Sequence, residues 1–366
     1  MADIVEAHIK RYVDDTGRLA VAAKRDLPCR LIQPCVDDEL ARADPVGQEG
    51  PLQLAHADPD PVGNGTAVAV QGRCPHRHFP LGASRRVGDA IQCAYHGITF
   101  DAAGACTFVP SQDKIPGVYA IKAYPLVERG LWAWIWPGDP ALADESLIPD
   151  LGDIGYDLPG FHARALFYHH VAGRYQLLND NLLDLSHLGY LHHSSIGTSD
   201  DAATPEEREA DDRVIRSRRI MRNTLRPAVV DWQTDFDGPI DRVSGMDFHI
   251  PGFHAGIADV MVAQGHARAG ELLRSNRVWH AVTPAGRTTT NYFFAMASRD
   301  PKALDEAESY LKPVIEEDIF ATVEIEKIIS TMDELPQELM LKSDGTAVLG
   351  RRALQRMMDA EARKTG

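Results

Sequence analysis

The sequence predicts an α+β protein in two parts, an N-terminal all-β domain followed by an α+β domain with an antiparallel sheet. Three observations carry this. From about residue 20 to 136 the text is short apolar runs, such as GNGTAVAVQGRC and GLWAWIWPGD, broken by Gly, Pro, Asp and Asn at the density of strands joined by tight turns. From 174 onward Leu177, Leu178, Leu182, Leu185 and Leu188 recur at mainly three- and four-residue steps, the face of a helix, and strand-like segments then run to about 297. Between the two parts, GDPALADESLIPDLGDIGYDLPGFH (138–162) is acidic, rich in Pro and Gly, and without a period. We therefore divide the chain into 1–137, a linker at 138–162, and 163–366, since 366 residues exceed the usual span of one core.

The elements follow in order. In LWAWIW, Trp132, Trp134 and Trp136 fall on one side of a strand and Leu131, Ala133 and Ile135 on the other, so that strand is expected to be covered on both faces. RYQLLNDNLLDLSHLGYLHH (174–193) reads as one helix with a place to break at Gly189, and a polar stretch follows at 199–212. GMDFHI, RVWHAVTP and TTTNYFFAMAS read as strands, and DEAESYLKPVIEEDIFATVEIEKIIS as a helix whose later half Pro313 begins or kinks. RRALQRMMDAEARK forms a last short helix. Helix, sheet, helix is the order of an α+β domain.

A formal charge of −15 repels phosphate backbones, so nucleic acid is not an expected partner. One local exception, RVIRSRRIMRNTLR (213–226), carries six arginines and is a candidate surface for another charged partner. The opening MADIVEAHIKRYVDD lacks the apolar core of a signal peptide, and no run approaches a membrane span, so a cytoplasmic address is expected. Five cysteines are an odd number in a chain that needs no staples. Cys29, Cys35 and Cys106 read as plain thiols.

Cys74 and Cys93 belong to RCPHRHFPLGASRRVGDAIQCAYHG (73–97), where Cys74 pairs with His76 and Cys93 with His96. A zinc finger pairs like ligands and puts its histidines on a helix; here each pair mixes a thiolate with an imidazole in a turn between strands. In a [2Fe-2S] centre with two histidines, one iron takes both cysteines and the other both histidines, so each loop must contribute one of each. The pattern fits that topology, and the site is expected to accept electrons. Pro75 stiffens the first turn, Gly97 permits a tight backbone after His96, and His78 is left over as an imidazole beside the site. In the later segment NDNLLDLSHLGYLHH, Asp184 and His187 lie three apart and His192 five further on. Two histidines and a carboxylate make a ferrous site with positions open to dioxygen. On residue types alone, histidines in a leucine-rich helix are more often core or rim residues than ligands.

Together with VERGLWAWIWPGDP, these motifs resemble the Rieske non-haem iron oxygenases, closest to the vanillate O-demethylase and dicamba monooxygenase branch, over most of 66–350. The resemblance implies mononuclear iron on His187, His192 and an aspartate far downstream. EEDIFATVE offers Glu316, Glu317 and Asp318, and the family's Glu-Asp pair selects Asp318. It also implies that Asp184 bridges His187 to His96 of a neighbouring subunit in a homotrimer, and that Asn181 is a polar neighbour of the iron. Asn179 stands where many relatives carry an apolar residue. Electrons would come from NADH through a separate flavin and iron–sulfur reductase, since no motif here holds flavin or NADH. The implied activity is monooxygenation of a small aromatic acid with dioxygen, above all O-demethylation of a vanillate-like methoxybenzoate. Ring hydroxylation or dihydroxylation, N-demethylation, and a non-catalytic Rieske electron carrier are the alternatives, with a zinc-stabilised binding module behind them. Substrate contacts are expected among His249, His254, His280, Asn291 and Tyr292, with His280 first and Asn291 second. The N-terminus lacks the family's usual Trp-Tyr opening, and 25–60 is unusually rich in Pro and Asp.

Overall fold

Glycine and proline turns cut the first part of the chain into short strands, as the sequence suggests. The computed structural model describes residues 20–23, 52–57, 66–231, 234–335 and 337–365; Cys29, Cys35 and the N-terminal opening lie outside the described residues. Two compact units divide between Leu147 and Ile148. Before that boundary in sequence, β1 (Ala20–Ala23), β2 (Leu52–Ala57) and β3 (Thr66–Gln71) are followed by β4 (Arg85–Val87), β5 (Ala90–Gln92), β6 (Thr99–Phe100), β7 (Cys106–Phe108), β8 (Ala123–Tyr124), β9 (Leu126–Arg129) and β10 (Trp132–Ile135). They form three small sheets, β1-β10-β9, β2-β3-β8 and β4-β5-β6-β7. Every residue of β10 is buried, so the tryptophan strand is covered on both faces. Leu81, Ile91, Phe100 and Ile121 build the core beneath the Cys-His loops and enclose Cys74 and Cys93.

The second unit is organised by a seven-stranded antiparallel sheet, ordered β11-β17-β16-β15-β14-β13-β12. Its strands are β11 (His162–Val171), β12 (Glu207–Ala210), β13 (Val214–Thr224), β14 (Ile240–His249), β15 (Phe253–Val262), β16 (Leu272–Gly286) and β17 (Thr289–Ser298). Between β11 and β12 run α1 (Tyr175–Leu183) and α2 (Ser199–Ala203); α3 (Ala228–Asp231) precedes β14, and α4 (Pro301–Ile329) and α5 (Gly345–Thr365) close the chain. No helix among the described residues is long and apolar enough to cross a membrane.

Three local expectations are corrected. The helix expected over 174–193 stops at Leu183, because Asp184 leaves helical geometry (φ −117°, ψ 86°) and starts a 3-10 turn over Leu185–Gly189. The break therefore comes before the histidines and not at Gly189, whose missing side chain instead lets the Thr198 carbonyl approach. Pro313 lies inside one continuous helix, which Asp300 caps by accepting from the Lys302 N–H at 3.0 Å. Five of the six arginines at 213–226 are engaged within the fold. Arg216, Arg218 and Arg222 pair with Asp211, Asp247 and Asp241, Arg219 with Glu206, and Arg226 donates to the Phe236 and Gly238 carbonyls.

Candidate metal centres

The two Cys-His loops share one backbone plan. Cys74 N donates to Phe79 O and Cys74 O accepts from His78 N; Cys93 N donates to Ile98 O and Cys93 O accepts from Gly97 N, all at 2.8–2.9 Å. The residue four places after each cysteine is the donor, and both adopt left-handed backbone: Gly97 at φ 74° and His78 at φ 57°. His78 thus occupies the turn position that Gly97 fills in the other loop, with its ring exposed and its Nδ1 3.1 Å from the Arg73 guanidinium. A side chain on Gly97 would press on Pro110 Cγ at 2.9 Å.

The duplicated plan brings like to like. Cys74 and Cys93 are both buried in one core cluster, while the His76 and His96 rings face each other edge-on at 4.5 Å between centroids. Burial pushes the Cys74 thiol up to about 11, against the pull of a backbone hydrogen bond, with Cys93 adding to the rise. A thiol so placed becomes a thiolate at neutral pH only beside a cation, as a metal ligand does. Paired sulfurs next to paired imidazoles are the donor set of a [2Fe-2S] cluster with one all-sulfur and one imidazole-bound iron. Cys106, a free thiol, is half-buried against the same core and donates to Phe108 O.

In the second unit, His187, His192 and Asp318 converge, with their ligand atoms all within 4.8 Å of one another. Asp318 comes from α4, whose buried stripe runs through Leu311, Val314, Ile315, Asp318, Thr322 and Glu326, with Ile319 and Val323 half-buried beside it. The 3-10 turn puts His187 beside it (Nε2 3.5 Å from Asp318 Oδ1), and the following turns bring in His192 (Nε2 3.0 Å). Both imidazoles are oriented from behind. His187 Nδ1 donates to the Asp184 carbonyl at 2.5 Å and His192 Nδ1 to Glu317 Oε2 at 2.6 Å, which turns both Nε2 atoms toward the carboxylate. Burial alone would raise the Asp318 carboxyl, but hydrogen bonds and charge from the two histidines hold it well below the ordinary range. Burial likewise opposes charge on His192, and Asp318 with Glu317 outweighs it. A buried anion between two oriented imidazoles fits a divalent ion, with room on one side for dioxygen.

The remaining sequence candidates fall in different places. Asn181 donates to Asp318 Oδ1 at 3.1 Å, within the centre itself. The Asp184 carboxylate does not receive His187: its Oδ1 accepts the Ser186 N–H at 2.9 Å and lies 3.9 Å from Arg219, because the residue caps the 3-10 turn and offers only its main-chain carbonyl to the ring. Asn291 is corrected outright. It accepts from Tyr168 at 3.1 Å and its Oδ1 lies 3.1 Å from His170 Nδ1, on the sheet face opposite Phe294 and Met296, which line the cavity beside the metal. His280 does line that cavity, yet burial draws its pKa down to about 4, so it is neutral at pH 7 and shares a 2.6 Å hydrogen bond with the Tyr292 hydroxyl. Asn179, buried, accepts from His254 at 2.8 Å and donates to Pro251 O, tying α1 to the β14–β15 turn. Glu317 was missed as the orienting partner of His192, although its place directly before Asp318 was the signal.

The cavity measures about 170 Å³ and lies between the sheet and α4. Strand register orders its floor into rows: His280 and Phe294 under the metal ligands, then Met246, Gly256, Val278 and Met296, then Ser244, Ala258 and Asn276, then Arg242, Val260 and Arg274. The second row is apolar throughout.

Known proteins match both halves. Residues 37–125 match the Rieske [2Fe-2S] domain and 171–360 the vanillate O-demethylase oxygenase C-terminal domain. The iron-sulfur subunit of a toluene-4-sulfonate monooxygenase system from Comamonas testosteroni is 33% identical over 81% of this chain and 87% of its own. The oxygenase component of dicamba O-demethylase from Stenotrophomonas maltophilia is 30% identical over 85% and 91%. A crystal structure of dicamba monooxygenase bound to dicamba superposes with a TM-score of 0.76 at 27% identity, covering 95% of this chain and 98% of that one. Matched across both domains and carrying the His187, His192 and Asp318 triad, the chain belongs to the Rieske non-haem iron oxygenases, as an oxygenase (alpha) component related to the vanillate and dicamba demethylase branch.

Proposed function

We propose that this oxygenase demethylates a small methoxylated aromatic acid of the vanillate type. The observation that carries the reading is the cavity that starts at His187, His192 and Asp318 and continues over the apolar row of Met246, Gly256, Val278 and Met296. When bound, the cluster and the ferrous ion supply electrons and activate dioxygen. The chain's own residues do the rest. His187, His192 and Asp318 hold the metal, Asn181 and Glu317 fix the geometry of Asp318 and His192, and His280 meets the substrate as a neutral hydrogen-bonding group. Insertion of one oxygen atom at the methoxy carbon gives a hemiacetal that collapses to a phenol and formaldehyde; the other atom leaves as water with two electrons and two protons.

Cys74, His76, Cys93 and His96 hold the cluster in this reading, within residues 1–137, with 138–162 as linker and 163–366 as the catalytic domain. Electrons come from a separate NADH-dependent flavin and iron–sulfur reductase in the cytoplasm. In a homotrimer the Asp184 carboxylate, half-buried and not engaged by His187, receives His96 of a neighbouring subunit. Ring hydroxylation and N-demethylation use the same triad, so a product screen decides among them. Vanillate and other methoxybenzoates, aryl sulfonates and N-methyl heterocycles are incubated with the oxygenase and a surrogate reductase and analysed by mass spectrometry. Formaldehyde with the demethylated phenol is the expected result. A cis-diol, or a hydroxylated ring with its methoxy group intact, rejects demethylation.

A further inference from the structure

We propose that the end of the cavity remote from the metal is an oxyanion site, with Arg274 as its anchor, and that the enzyme selects aryl substrates bearing a carboxylate or sulfonate. This deepens the reading above and rests on it for the reaction, though not for the binding.

Two guanidinium groups reach that end of the cavity. Arg242 is neutralised: it clasps Asp201 through both terminal nitrogens, at 3.2 and 3.1 Å. Arg274 pairs with no carboxylate among the described residues, and its partners are neutral: the Tyr310 hydroxyl at 3.2 Å and the Asn276 amide oxygen, 2.7 Å from Nε. The nearby Asp259 is taken by Arg277 and Ser275, at 2.8 and 2.6 Å, its side chain on the other face of the sheet. In the row of Asn276, across Ala258 from it, the buried Ser244 hydroxyl has no partner among the described residues. An unpaired cation and an unpaired hydroxyl in a buried cavity are both costly unless a ligand completes them. One oxyanion satisfies both, by a charge-assisted bond from Arg274 and a second bond from Ser244.

The spacing suits an aryl acid. By contacting Asn276, the guanidinium reaches into the third row, four residues and roughly 13 Å of strand from His280. Between them lie Met246, Gly256, Val278 and Met296, an apolar bed for the ring. His280 cannot serve as the cationic partner, because it is neutral.

The test is anaerobic calorimetric binding to the intact iron-loaded oxygenase. The probes are 3-methoxybenzoate, toluene-4-sulfonate and uncharged 3-methoxybenzamide, run in parallel with product analysis using a surrogate reductase. Arg274→Gln is expected to lose about ten- to a hundredfold in affinity for whichever acids the wild type binds, and about threefold or less for the amide. Arg274→Lys should recover part of the loss, and Ser244→Ala should lose less than Arg274→Gln, a second measure independent of how well the arginine variants fold. The carboxylate and sulfonate arms separate the two acid classes. Equal binding of acid and amide by the wild type, equal losses for both in Arg274→Gln, or no binding of either acid overturns the site. Acid binding that depends on Arg274 without any oxygenated product supports the site while rejecting the demethylase reading. Turnover restricted to uncharged arenes does the reverse.

Discussion

Glu317→Ala removes the acceptor that fixes the His192 ring, and its cost can be worked from the structure. The bond is short, 2.6 Å to Nδ1, and keeps that proton away from Nε2, the atom beside Asp318. Losing such a partner to a metal-bound histidine weakens metal affinity about 10- to 100-fold, or about 1.4 to 2.7 kcal/mol. The Glu317 side chain is 34% exposed, so water replaces part of the lost bond and the expected loss is near the lower end, about tenfold. Glu317→Gln keeps an acceptor without the charge and should lose about threefold. The assay is anaerobic loading of metal-free protein with ferrous ion in competition with a chromogenic chelator, with the cluster followed by its visible spectrum. Unchanged ferrous affinity in Glu317→Ala would refute the reasoning, as would a Gln variant that loses as much as the Ala variant.

Other outcomes follow from neighbouring features. Burial holds His249 near pH 4 and His254 well below its ordinary value, so the unfolded chain takes up protons near pH 6.5 that the native state refuses. Stability should therefore fall as pH drops from about 6.5 towards 4, by up to about 3 kcal/mol for His249; denaturant midpoints at pH 7 and 5 should differ less in His249→Gln, and equal differences contradict this. Glu326 holds Arg174 by two short bonds, Nε at 2.6 Å and Nη2 at 2.7 Å, so Glu326→Ala strands a buried guanidinium and should cost about 3 kcal/mol in chemical unfolding; a loss under 1 kcal/mol would show that water reaches it. Asp184→Asn should retain both metal centres yet slow reoxidation of the reduced cluster by at least tenfold in stopped-flow measurements. Normal transfer would remove Asp184 from the electron path.

Much of the site was legible because ligand chemistry leaves spacing behind it. Cys-x-His and Cys-x-x-His in turn-rich text led to two superposable loops. The resemblance singled out Asp318 among three adjacent acidic residues, and the apolar neighbours on its helix fitted an inward carboxylate. Less was legible wherever one residue of register or one turn decides the outcome. Asn291 and Tyr292 are adjacent in sequence, yet alternation sends one toward Tyr168 and the other toward His280. The helix around Asp184 ends six residues before the expected break at Gly189 because its carboxylate caps the next turn, a local competition that leucine periodicity does not record. Arg274 carried no signal in sequence, since an arginine on a strand is ordinary until the fold shows no carboxylate paired with it among the described residues. The arginines of 213–226 show the converse, a charge run in which four of six are paired with carboxylates of the fold.

Metal and sulfide analysis of freshly purified protein tests the central claim most directly. The expected result is red-brown protein holding about three irons and about two labile sulfides per chain. Asp318→Ala should lose only the third iron and Cys74→Ser only the cluster's iron and sulfide, because the two donor sets are built from separate elements. Stoichiometric zinc without sulfide, or a cluster with no additional iron that is lost on replacing Asp318, would contradict an oxygenase with two iron centres.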